Sequence, residues 1–113
     1  MAAAKKRREP EPVSPIEFAG MRYEAPLAGS PYGYQQDGGI VVARDLKNNT
    51  LVWTQRIYAT EYGDDIEEDK QEVFIARMVL TTDNGALHIQ DEQGIEYRLS
   101  LTDRSVVRIA AHD

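Results

Sequence analysis

The sequence contains no cysteine, so it can form neither a disulfide framework nor a thiolate metal site. Proline is absent after Pro31: Pro10, Pro12, Pro15, Pro26 and Pro31 all fall in the first third of the chain. Because proline cannot donate to a sheet ladder, the regular strands are expected beyond that point. No apolar run approaches the ~20 residues that span a bilayer. The start, Met1 to Arg8, is basic, but Glu9-Pro10-Glu11-Pro12 stands where a secretion signal would carry its apolar core, so no cleaved leader is expected. These absences give a cytoplasmic expectation, although lack of cysteine alone would also suit a periplasmic protein.

Catalytic patterns are missing as well. There is no G-x-S-x-G elbow, P-loop, G-x-G-x-x-G or H-E-x-x-H. The two histidines, His88 and His112, are isolated, too few to form a metal site. The sequence therefore predicts no catalytic residue, no cofactor and no metal. Nor does any stretch carry a 3.6-residue apolar stripe with caps; the single helical candidate is one turn within residues 65–71.

What is present suits one β domain. The chain has 113 residues, of which 42% are hydrophobic, enough for a single core. The net charge is −6, yet residues 1–15 hold four basic and two acidic side chains, which leaves −8 on the remainder. A body of that sign should repel nucleic-acid backbones and anionic lipid. Residues 1–15 read as a disordered basic, proline-rich tail whose Lys5–Arg8 cluster is either solvated or a contact for such nucleic-acid or lipid partners. Residues 16–113 read as a single all-β domain.

The strand signals come in hairpins. Ile16–Phe18 and Met21–Glu24 flank Ala19-Gly20. Residues 25–38 form a glycine-bearing loop with Tyr32 and Tyr34. Ile40–Asp45 and Leu51–Tyr58 flank Asn48-Asn49, and asparagine tolerates the positive φ that such a turn needs. Val73–Thr81, Ala86–Gln90, Ile95–Leu101 and Val106–Ala110 follow, separated by Asp83-Asn84-Gly85, Gln93-Gly94 and Thr102-Asp103-Arg104. The expected architecture is an antiparallel up-and-down meander of about seven strands, propeller-blade-like or a small sandwich. A weak internal repeat aligns Gly39–Leu46 with Gly94–Leu101 at an offset of 55, through the glycine, the isoleucine and the leucine.

The spacing Ala43-x-Asp45-x-x-Asn48-Asn49-x-x-x-Trp53 resembles the tryptophan-docking pattern of quinoprotein-like (PQQ-type) β-propeller repeats, in which Ala, Asp, Thr-Gly and Trp stand at these intervals. Asn48-Asn49 replaces the Thr-Gly pair, and the second copy has Arg98, Ser100, Asp103, Arg104 and Arg108 at the corresponding places. The resemblance implies structural roles. Ala43 would lie small beneath an indole, Asp45 would accept the bonds that fix the turn, and Trp53 would dock against the adjacent sheet. It implies no quinone cofactor, because such binding residues come from several blades. The chain is too short to close a propeller of ~4–8 four-stranded blades.

The carboxylates cluster between Glu61 and Glu72, with Asp64, Asp65, Glu67, Glu68 and Asp69 between them. A calcium loop of the EF type is excluded by their contiguity and by Gly63 preceding them. A hydrated connection, a docking patch for a basic partner and an acid/base pair remain as readings. Tyr32, Tyr34 and Tyr62, outside the strands, join Asp64, Asp65, Glu67, Glu68 and Asp69 as candidate partner contacts. Phe18, Tyr23, Trp53, Tyr58, Phe74 and Tyr97 are expected in the core. The function expected is a non-enzymatic protein-interaction or scaffold module that pairs with a protein partner or itself, without membrane or nucleic acid. The alternatives are a small-molecule-binding module, or an enzyme using carboxylates of residues 64–72.

Overall fold

Tight turns between short β-rich runs give local hairpins, and the computed structural model, which describes residues 11–59 and 72–109, contains a strand at each of those runs. They are β1 (Ile16–Phe18), β2 (Met21–Glu24), β3 (Ile40–Asp45), β4 (Leu51–Arg56), β5 (Ile75–Leu80), β6 (Ala86–Asp91), β7 (Glu96–Ser100) and β8 (Val106–Ile109). The protein is all-β, and its only helical element among the described residues is one 3-10 turn, Ser30–Tyr32. The helical candidate within 65–71 lies outside the described residues.

The hairpins do not run on as one sheet. They divide into two four-stranded antiparallel sheets, ordered β1-β2-β3-β4 and β5-β6-β7-β8. The first hairpin closes through Ala19 and Gly20, with φ of +54° and +81°, the type I′ geometry whose twist matches that of paired strands. Two strands are shorter than the sequence suggests. β4 stops at Arg56 because its partner strand ends at Gly39, whose φ of +78° lies outside strand geometry, and Tyr58 O is taken by Gln36 Nε2 (2.7 Å). β5 starts only at Ile75 because the Phe74 N–H is taken by Glu92 Oε1 (3.0 Å).

The 55-residue repeat is written in backbone geometry more than in side chains. In the β3–β4 turn, Asp45 N donates to Thr50 O (2.9 Å), Asn49 N to Asp45 O (2.7 Å), Lys47 N to Asp45 Oδ1 (2.8 Å) and Thr50 N to Asn48 Oδ1 (3.2 Å). The β7–β8 turn repeats all four: Ser100 N to Ser105 O (2.9 Å), Arg104 N to Ser100 O (2.9 Å), Thr102 N to Ser100 Oγ (3.2 Å) and Ser105 N to Asp103 Oδ1 (2.9 Å). Asn49 and Arg104 both hold positive φ, +58° and +63°. A fifth bond ties each turn to the first hairpin of its own sheet, Leu46 N to Gly20 O and Leu101 N to Gly85 O. The two sheets are therefore two copies of one unit. Gly20 and Gly85 are 65 apart while the later turns are 55 apart, so the first copy carries ten extra residues between its two turns, in the stretch that joins its second and third strands.

One core joins the copies. Tyr23, Val41, Ala43 and Ile57 from the first half pack in a single cluster with Ile75, Met78, Leu87, Ile89, Tyr97 and Leu99 from the second. Complete burial of a leucine or isoleucine, as at Leu87, Ile89 and Leu99, is worth about 1.5–3 kcal/mol each. Val13 also packs against this cluster. The opposite faces differ. On the first sheet Ile40 and Val42 have no exposure, and residues 25–38 lie over them. On the second sheet the outer face carries Arg77, His88, Gln90, Glu96 and Arg98 at paired positions and is mainly polar, with Val79 opposite His88 and Val107, 58% exposed, opposite Arg98.

Candidate functional site

The buried polar groups between the sheets are engaged with the backbone. Asp91, 3% exposed, accepts from Gln93 N (2.8 Å) and Ile95 N (3.0 Å) through Oδ1 and from the Tyr97 hydroxyl (3.2 Å) through Oδ2. Gln36 Nε2 donates to Gly38 O (2.8 Å) and Tyr58 O (2.7 Å). Glu72, 9% exposed, accepts from Gly38 N (3.0 Å) and Asp37 N (3.2 Å). The reading of the acidic run as hydrated throughout is thus corrected at its last member, because Glu72 is buried against the backbone of the other half. Only glycine fits at its partner: a Cβ on Gly38 would stand 2.3 Å from Val73 O.

Two tyrosines stack in this seam, Tyr58 on Tyr97, with centroids 5.2 Å apart. Burial, reinforced by the negative charge of Asp91, pushes the Tyr97 hydroxyl up to about 12. The same causes raise Tyr58 well above the ordinary tyrosine range. Both hydroxyls already donate inside the protein, to Asp91 and to Val73 O. Such groups lock a fold; they offer no nucleophile or base at neutral pH.

Tyr23, Ala43 and Trp53 stand directly opposite one another on β2, β3 and β4. Alanine in the middle lets the outer rings meet at 5.9 Å across an intervening strand. Trp53 is half-buried, and the Arg104 guanidinium of the β7–β8 turn lies 5.8 Å from its ring centroid, so the indole bridges the two sheets. Asp45 spends its carboxylate on Lys47 N, within its own turn. Ala43 and Trp53 are thus brought together, and Asp45 lies at the end of the same strand.

The tyrosine loop folds over the outer face of the first sheet. The Tyr34 hydroxyl is 2.9 Å from Thr54 Oγ1, and Arg44 donates to the Tyr32 hydroxyl (3.1 Å). Both tyrosines are half-buried, with part of each ring facing outward. Tyr62, Asp64, Asp65, Glu67, Glu68 and Asp69 lie outside the described residues. His88 faces away from Leu87 and Ile89 and pairs with Glu96 (2.7 Å) on the polar face. Among the described residues no group of three His, Asp or Glu side chains is placed to hold a metal ion. No helix there is long and apolar enough to cross a membrane.

The feature sequence reasoning missed is apolar exposure at one end of the first sheet. Leu46 (40% exposed), Leu51 (47%) and Val52 (51%) flank the β3–β4 turn. The bulge at the end of the β3–β4 ladder, between Ala43 and Arg44, puts Leu51 rather than Val52 opposite Arg44. The available signal was weak: two adjacent apolar residues opening an edge strand. Comparison with protein-family models gives no match, and comparison with curated proteins gives no relative.

Proposed function

We propose that this protein is a non-enzymatic, cytoplasmic protein-interaction module, built as a pair of blade-like sheets of the quinoprotein-propeller type. The observation that carries the reading is the exposed set Leu46, Leu51 and Val52 about the β3–β4 turn. Apolar side chains grouped on a surface mark contact sites when the interior of the fold is already complete. The repeated turn bonds and the Trp53–Arg104 contact support the blade-pair description. Tyr32 and Tyr34 belong to the same outer surface, and the 64–69 carboxylates supply a second, acidic contact for a basic partner.

The test is affinity co-purification from native lysate, with the mass of the complex measured in solution. The chain should recover a partner in fixed stoichiometry, and a variant with Leu46, Leu51 and Val52 all changed to serine should not. Equal recovery by both, or none by either, removes the reading.

A further inference from the structure

Among the described residues β4 is an outer edge of its sheet. Since Ile57 N donates to Gly39 O, the bonded pairs of this antiparallel ladder fall at Gln55 and Trp53, and the N–H and C=O of Thr54 and Arg56 point away from β3. Edge strands are usually guarded by lysine, proline or inward charge. β4 reads Leu-Val-Trp-Thr-Gln-Arg and has none of these; its guards are the bulge at Val52, which leaves Thr54 to Arg56 regular, and the exposed Gln55 amide, which donates to Arg56 O (3.0 Å) and would have to swing away. Cations outnumber carboxylates around it, Lys47, Arg56 and Arg104 against Asp45 and Asp103. Lys47, Arg56 and Arg104 form no ion pair among the described residues, and the nearby carboxylates of Asp45 and Asp103 are occupied by turn N–H groups.

We infer that the β4 edge receives an extended, acidic segment of a partner protein as a fifth strand. Its apolar side chains would rest on Leu51 and Val52, and its carboxylates would face Arg56 and Lys47. Main-chain bonds supply affinity in this mode and the flanking side chains supply selection. A second copy fits the edge less well, because β4 paired with β4 would bring its own cations together. The inference rests on the interaction-module reading and names its partner chemistry.

Fluorescence anisotropy of the full chain with labelled Glu-Val-Glu-Val-Glu-Val tests it, against the Lys-Val counterpart and against the acidic peptide N-methylated at alternate residues. The acidic peptide should bind at least ~10-fold tighter than the basic one, as charge complementarity requires. Arg56→Glu, an exposed change, should weaken it by a similar factor, and N-methylation should abolish it. Equal binding of both peptides, no binding of the acidic one, or indifference to N-methylation overturns the inference. So does dimerisation of the chain that Arg56→Glu reverses. If the peptide fails while the co-purified partner persists, the partner binds elsewhere and the module reading stands; if both fail, both fall.

Discussion

Ala43 is small because two aromatic rings must meet above it. Tyr23 and Trp53 sit two strands apart and touch only because the residue between them has no side chain beyond Cβ. Ala43→Leu should therefore wedge the rings apart and cost about 1–3 kcal/mol by overpacking, read from urea unfolding, with a red shift of Trp53 emission. The stacked pair gives a second expectation. Tyr97 is held up to about 12 and Tyr58 higher, against about 10 in an unfolded chain. The folded state thus keeps protons that the unfolded state releases. Stability is complete below pH about 10 and falls as pH rises towards 12. Phenolate absorbance should show Tyr58 and Tyr97 titrating last, together with unfolding. At this scale the sequence was partly legible. Strand aromatics are core-prone by size, and Tyr23, Phe74 and Tyr97 are buried. Glu72 and Asp91 were not legible, because burial of a carboxylate depends on which backbone N–H groups the distant chain brings to it.

The turns of β3–β4 and β7–β8 show how a unit persists while its letters change. Ser100 accepts through a hydroxyl what Asp45 accepts through a carboxylate, and Asp103 stands in for Asn48. Replacing residues 100–105 by the sequence of 45–50 should keep the fold and alter stability by less than about 1 kcal/mol, since the bonding pattern is shared and the better fit of Asn to the positive φ at 104 offsets the lost Arg104–Trp53 contact, itself worth about 0.5–1 kcal/mol. Urea unfolding measures it; loss of cooperative folding would show the two turns are not equivalent. Hairpin positions were readable because Asn-Asn, Asn-Gly and Gln-Gly turns act locally. The division into two sheets was not, since the segment that separates them looks like any polar connection. The repeat showed only three identities because a β-turn constrains acceptors and φ rather than names.

Across the whole molecule, charge and cover are unevenly placed. Residues 60–71 contain six acidic and one basic side chain, whereas the described residues hold eleven acidic and eight basic. The acidity of the chain thus belongs mainly to the connection between the sheets. The ten additional residues of the first copy form the loop that covers Ile40 and Val42 and bonds Thr54 and Arg44. Shortening residues 25–39 to the length of the β6–β7 turn should uncover those side chains, and light scattering should then report larger assemblies than the parent forms. Unchanged mass would mean that other residues seal this face.

That loop and the wet face of the second sheet together decide how far such a pile can grow. One end wears a roof and the other a charged floor, so neither offers the dry plane on which a further layer would settle. Duplicating either half in tandem would first require stripping the roof or replacing Arg77, His88 and Arg98 with greasy side chains; short of that, the architecture halts at two storeys.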